Sequence, residues 1–186
     1  MVRTGQPVPE HGRGAAGDPI RPGTRVSVHR DLRGLSACSG RDGSPNRLYY
    51  ARDVLGIQDA EHEETAPGAP TLFISRLDCA LVGVQQEVIL SPGTLVHRAY
   101  GEDSVTEQFR CGYGLNARYR DTLDSGGLGV VGVDAHGEVR IVALAGHPFF
   151  VATLFQPQLS SAPEKPHPLI VAYLRAAMAC SARTSG

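Results

Sequence analysis

At 186 residues the chain is long enough for one domain with a substantial core, and 41% apolar residues with a formal net charge of −1 describe an ordinary globular protein. No apolar run approaches the roughly 18–20 residues that span a bilayer, and no continuous apolar stretch of signal-peptide type opens the chain, so a cytoplasmic location with no membrane partner is expected. The four cysteines, Cys38, Cys79, Cys111 and Cys180, have no C-x-x-C spacing, which predicts reduced thiols and neither a zinc site nor a redox pair. No metal or other cofactor is expected.

From Met1 to about Arg47 the chain is rich in Gly, Pro, Arg and Ser, with eight arginines against four acidic residues. Such a composition buries little apolar surface, and it predicts a disordered arm over 1–43, a domain over 44–180 and a frayed tail over 181–186. A basic arm can bind nucleic acid, but arginines scattered without aromatics make nucleic acid an unlikely partner. Ser44-Pro45 then reads as N-cap and first helical position of a helix running to Leu55, with Leu48, Ala51 and Leu55 on one face and Gly56 as its C-cap.

Asp59 to Pro70 is polar and acidic, and His62 among Glu61, Glu63 and Glu64 reads as part of a solvated loop, not as a metal cluster. Strand segments follow at 72–74, 81–84 and 86–90, ending at the Ser91-Pro92-Gly93 turn, and 94–100 reads as a short helix. Val105 to Asn116 is a strand and 117–123 is helical. Leu128 to Val133 and Glu138 to Leu144 form a hairpin around Asp134-Ala135-His136-Gly137, which makes His136 a turn residue. Phe149 to Phe155 is a nearly continuous apolar strand, of the kind found in a sheet covered on both faces. A polar turn with Gln156 and Gln158 follows. The helix 168–179 then sets Ile170, Leu174 and Ala177 toward the core.

Two stretches carry a family resemblance. His147-Pro148-Phe149-Phe150-Val151-Ala152, Phe155, Pro157, Ser161 and Pro163, followed by His167-Pro168-Leu169, Tyr173 and Arg175-Ala176-Ala177, resemble the end of a class I glutamine amidotransferase domain. Within that class the resemblance is to the glutaminase domain of CTP synthases, and it extends upstream through Tyr50 to His62 and through Val105 to Asn116. It implies an α/β fold with a largely parallel sheet flanked by helices, the N-terminal part being truncated or divergent here. It also implies a role in pyrimidine nucleotide metabolism, with glutamine or another small amide as partner.

The family's F-H-P-E supplies a catalytic His and the Glu that orients it, where this chain has Gln156 and Gln158. The family's substrate-binding arginine falls at Gly112, leaving Arg110, two residues away on the same strand face, and Tyr113 as candidate substrate contacts. The nearest match to the nucleophile elbow G-x-C-x-G is Leu35-Ser36-Ala37-Cys38-Ser39-Gly40, with Cys38 at the nucleophile position. Arg41 to Pro45 then interrupts the helix whose free N–H groups would lower a thiol pKa. The glycine-rich oxyanion loop is absent, as is any G-x-x-x-x-G-K-[ST] phosphate loop.

These residues leave two main readings. One is a degenerate, non-hydrolytic binding or accessory module, since a glutamine amide cannot take a proton from a thiol. The alternative is an active glutamine-hydrolysing enzyme with Cys38 in a rearranged site. A basic nucleic-acid arm on an inert domain rests on the charge asymmetry alone.

Overall fold

The computed structural model describes residues 27–29, 48 and 50–184. Among these residues, seven strands make one sheet: β1 (Ser27–His29), β2 (Glu61–His62), β3 (Leu72–Leu90), β4 (Ser104–Leu115), β5 (Leu128–Val133), β6 (Val139–Leu144) and β7 (Phe150–Thr153). Three α-helices accompany them: α1 (Leu95–Tyr100), α2 (Arg120–Ser125) and α3 (Pro168–Thr184). The strand order is β1-β7-β6-β5-β3-β2, and β4 pairs with β3 off this path.

The fold is α/β, but the expectation of a largely parallel sheet is overturned. Only β1–β7 and β2–β3 are parallel, whereas β3–β4, β3–β5, β5–β6 and β6–β7 are antiparallel. The links explain this. Parallel neighbours need a crossover of a dozen or more residues, and the short turns that join β5 to β6 and β6 to β7 can only return the chain alongside itself. The apolar run of β7 was compatible with either arrangement. Val151 through Phe155 are all 2% exposed or less, and because successive side chains point to opposite faces, both faces of this strand are covered.

Local signals placed most elements. Thr94 caps α1, its hydroxyl accepting from the His97 amide at 3.2 Å, and Gly101 closes the helix in the left-handed region at φ 75°. The three strand segments expected between 72 and 90 are one strand whose register against β4 shifts between Arg76 and Leu81 and between Val82 and Val84. These bulges break the alternation that a sequence pattern relies on, and Gly83, at φ 71°, occupies the second.

Three expectations need correction. Tyr50–Val54 forms a single π-helical turn, Leu55 N donating to Tyr50 O at 3.1 Å, where a regular helix was expected. His62 is buried and stacked on Tyr113, with ring centroids 5.1 Å apart, so it belongs to the packing and not to a solvated loop. Helix α3 packs through Leu169, Ala172, Tyr173 and Ala176, while Leu174 is 53% exposed. This helix is apolar nearly all round, so its 3.6-residue period fits either face, and the ring contact of Tyr173 with Phe149 at 5.8 Å marks the face that is used.

Candidate functional site at the turn after β7

Strand β7 delivers its last buried residues, Leu154 and Phe155, to a tight turn. Thr153 donates its hydroxyl to Phe155 O at 2.8 Å. Gln156 is extended, at φ −112° and ψ 99°, and Pro157–Leu159 make one 3₁₀ turn closed by Leu159 N donating to Gln156 O at 2.9 Å. Pro157 is buried, Gln156 half-buried and Gln158 exposed. Neither glutamine side chain hydrogen-bonds to another described residue. Their amides can donate and accept but do not titrate, so this turn offers a ligand hydrogen bonds and offers a thiol no base.

The turn sits on a buried polar cluster built around Glu107 of β4. Glu107 Oε1 accepts from the Tyr100 hydroxyl at 2.6 Å and from His167 Nε2 at 2.9 Å, and Oε2 accepts from Ser160 Oγ at 3.0 Å. The Leu169 amide donates to His167 Nδ1 at 3.2 Å, which fixes the tautomer with the proton on Nε2. His167 also accepts on its carbonyl from the Ile170 and Val171 amides and so caps α3. Burial alone would raise the Glu107 carboxyl, but the hydrogen bonds from His167 and Tyr100 outweigh it and hold it below the usual carboxylate range. Burial beside that charge pushes the Tyr100 phenol up.

This His–Glu pair has the composition of a base and its orienting acid, but its geometry is structural. The imidazole is 3% exposed. Its Nδ1 is taken by a backbone amide, and its Nε2–H faces a carboxylate. No face of the ring is left to receive a proton from a substrate or nucleophile.

A second buried carboxylate, Asp134, fixes the β5–β6 turn. It accepts from the His136 and Glu138 amides at 2.9 Å each, from Arg140 Nη2 at 2.7 Å and from Gln86 Nε2 at 3.1 Å. Burial would raise its carboxyl, and the Glu138 amide and the Arg140 guanidinium bring it below its ordinary value. Asp134 and Arg140 thus form a buried ion pair within one hairpin.

The residues singled out from the sequence are only partly brought together. Cys38 lies outside the described residues. Strand β1, which precedes it, runs parallel to β7 with His29 opposite Ala152, so the two strands end at the same edge of the sheet. Arg110 is exposed and alternates with the buried Glu107, Phe109 and Cys111, so it projects from the face opposite the Glu107 cluster. Tyr113 packs against His62, with the Arg76 guanidinium 5.8 Å from its ring centroid. Neither Arg110 nor Tyr113 makes a described contact with Gln156 or Gln158. His136 occupies the Asp134 turn, its amide bonded to the Asp134 carboxylate.

Sequence reasoning missed both buried carboxylates, although one carried a legible signal. Val105, Glu107, Phe109 and Cys111 share one strand face, so the carboxylate is in phase with apolar positions and its burial could have been read. Its partners could not, because Ser160 and His167 arrive from more than 50 residues away and Tyr100 from the preceding helix gives no sign of the contact. Among the described residues, no group of three or more His, Cys, Asp or Glu stands together as a metal site, and no helix is long and apolar enough to cross a membrane.

The fold resembles the solved glutaminase domain of Trypanosoma brucei CTPS with bound acivicin, with a TM-score of 0.64 and 24% identity over 69% of this chain and 54% of that one. No protein-family profile matches the chain. Among curated proteins, the CTP synthase of Sulfurisphaera tokodaii is 37% identical over 137 residues, covering 69% of this chain and 26% of the relative. That of Nostoc punctiforme is 34% identical over 167 residues, covering 82% and 29%. The chain therefore carries a class I glutamine amidotransferase-like domain. It spans about a quarter of the length of these relatives. The part of them to which it is related is the glutaminase domain of CTP synthase.

Proposed function

We propose that this domain is a binding or accessory module that holds glutamine or another small amide and does not hydrolyse it. One observation carries the reading: the turn after β7 presents Gln156 and Gln158, neither of which can act as a base. A free thiol has a pKa near 8.5 and is only a few per cent thiolate at neutral pH, so a nucleophilic cysteine depends on such a base. Its loss is severe. In a serine protease, removing the catalytic histidine alone costs about a million-fold in turnover. The buried His167–Glu107 pair cannot substitute, because both of its ring nitrogens are committed.

The alternative is a glutamine-hydrolysing enzyme of pyrimidine nucleotide metabolism with Cys38 in a rearranged site. The parallel pairing of β1 with β7 favours it, since the two strands end at the same edge of the sheet. The two readings separate on covalent labelling of the full chain with a chloroketone analogue of glutamine, read by intact mass and peptide mapping, beside calorimetric titration with glutamine. The module should bind glutamine and show no labelling of Cys38 faster than that of the exposed Cys79. Labelling of Cys38 that far outpaces Cys79 and is suppressed by glutamine would establish the enzyme instead.

A further inference from the structure

Residues 156 to 167 form an irregular segment between β7 and α3, mostly exposed, with Pro157 and His167 buried and Gln156, Leu159 and Ser161 half-buried. Its other hydrogen bonds are internal or run into α3: Leu159 N to Gln156 O, the reciprocal amide pair of Ala162 and Lys165, and the His167 amide to Ser161 Oγ at 3.1 Å. The side-chain bonds that fasten it to the sheet, from Ser160 and His167, both end on Glu107. The Tyr100 hydroxyl belongs to the same cluster, 3.2 Å from His167 Nε2 and bonded to the same carboxylate.

We propose that Glu107 is a latch: this one carboxylate holds the 156–167 segment, and with it the turn bearing Gln156 and Gln158, against β4, so that the segment opens as a unit when the carboxylate is removed or neutralised. The groups that face Glu107 are Tyr100 from α1, Ser160 after the 3₁₀ turn and His167 ahead of α3, and across the ladder the uncharged Gln86 of β3. Among the described residues no arginine or lysine pairs with it. Two hydroxyls and one imidazole N–H therefore converge on one carboxylate, and charge-assisted bonds are about twice as strong as neutral ones. Neutralising the carboxylate weakens all three together. The latch concerns the same turn as the binding reading but does not depend on it, since its signature is motion and not ligand affinity.

The sign with pH follows from the geometry. Because the cluster holds the Glu107 carboxyl below its ordinary range, the latch is intact above that range and is lost as pH falls through the folded value. Amide hydrogen exchange of the full chain, read by mass spectrometry and corrected for the intrinsic pH dependence, tests this. In Glu107→Ala at neutral pH, peptides within 156–167 should exchange about ten-fold to a hundred-fold faster, while those of the 128–144 hairpin keep the wild-type rate. Glu107→Gln keeps the shape and loses the charge, so it should exchange several-fold faster and show no acid response. Wild-type protein brought to acid should rise to the rate of that glutamine variant.

Should Glu107→Ala fail to fold, Ser160→Ala and the wild-type acid profile carry the same test. Faster exchange confined to 156–167 supports the latch. An unchanged segment, or a rise shared equally by 128–144, overturns it and leaves Glu107 as one more part of the folded core.

Discussion

The two buried carboxylates at the carboxyl end of β7 solve the same problem differently. Asp134 is satisfied mostly by its own hairpin, through the His136 and Glu138 amides and an arginine six residues away in sequence, with Gln86 of β3 adding one distant bond. Glu107 has one donor near in sequence, Tyr100 seven residues away, and two that the fold alone assembles, Ser160 and His167, 53 and 60 positions away. The first has an arginine and a closed local turn, and the second has two hydroxyls, an imidazole N–H and, among the described residues, no arginine or lysine. One builds a rigid corner, and the other fastens a separate segment to the sheet. A carboxylate with local partners stabilises its own turn, whereas one with distant partners makes the position of a whole segment depend on a single charge.

The comparison can be broken most severely in the core of the sheet that carries both carboxylates. Val151 is buried in β7, and Val151→Asp places a carboxylate there with neither a hairpin nor a cluster to receive it. The cost should be several kcal/mol, on the order of total stability, and the domain should be unfolded by circular dichroism. A soluble variant with an unchanged melting curve would contradict the assignment of β7 as a central strand.

Next is the local pair. Arg140→Met leaves Asp134 buried with amides only, and breaking one partner of a buried pair costs about 3–5 kcal/mol. Urea denaturation measures it, and a loss under about 1 kcal/mol would mean that the hairpin amides and Gln86 carry the charge without a cation. Ser160→Ala should cost less, about 1–2 kcal/mol, because His167 and Tyr100 remain on the other oxygen. Acid provides the subtlest comparison. Both carboxyls have folded values below their ordinary ones, so their stabilisation is complete above the unfolded range near pH 4 and is lost as pH falls through the folded values. Denaturation midpoints should not move on their account between pH 8 and 6, and Asp134→Asn should flatten the fall below about pH 4.

The parts of this fold that were legible in the sequence are those whose cause is local. The Asp134–Gly137 turn, the Thr94 cap and the apolar run of β7 each specify themselves within a few residues. Strand direction was not local: the run at Phe149–Phe155 says that both faces are covered but not which way its neighbours point, and the short links that make the sheet mostly antiparallel outweighed the family expectation. The helical period of α3 could not choose a face, because Leu174 and Met178 are as apolar as the residues that pack. At the site, the turn and its two glutamines were readable, but the cluster beneath was not. Glu107 was in phase with apolar neighbours, but its partners Ser160 and His167 come from more than 50 residues away and left no local trace.

The central proposal is that the turn after β7 offers no base to a nucleophile. The most direct measurement is ammonia release from glutamine by the full chain at neutral pH, with the Cys38→Ser and the Gln156→His/Gln158→Glu proteins alongside. Without a base, the parent should release no ammonia above the background of the Cys38→Ser protein. Hydrolysis by the parent that Cys38→Ser abolishes would contradict the claim and place the base elsewhere in the chain.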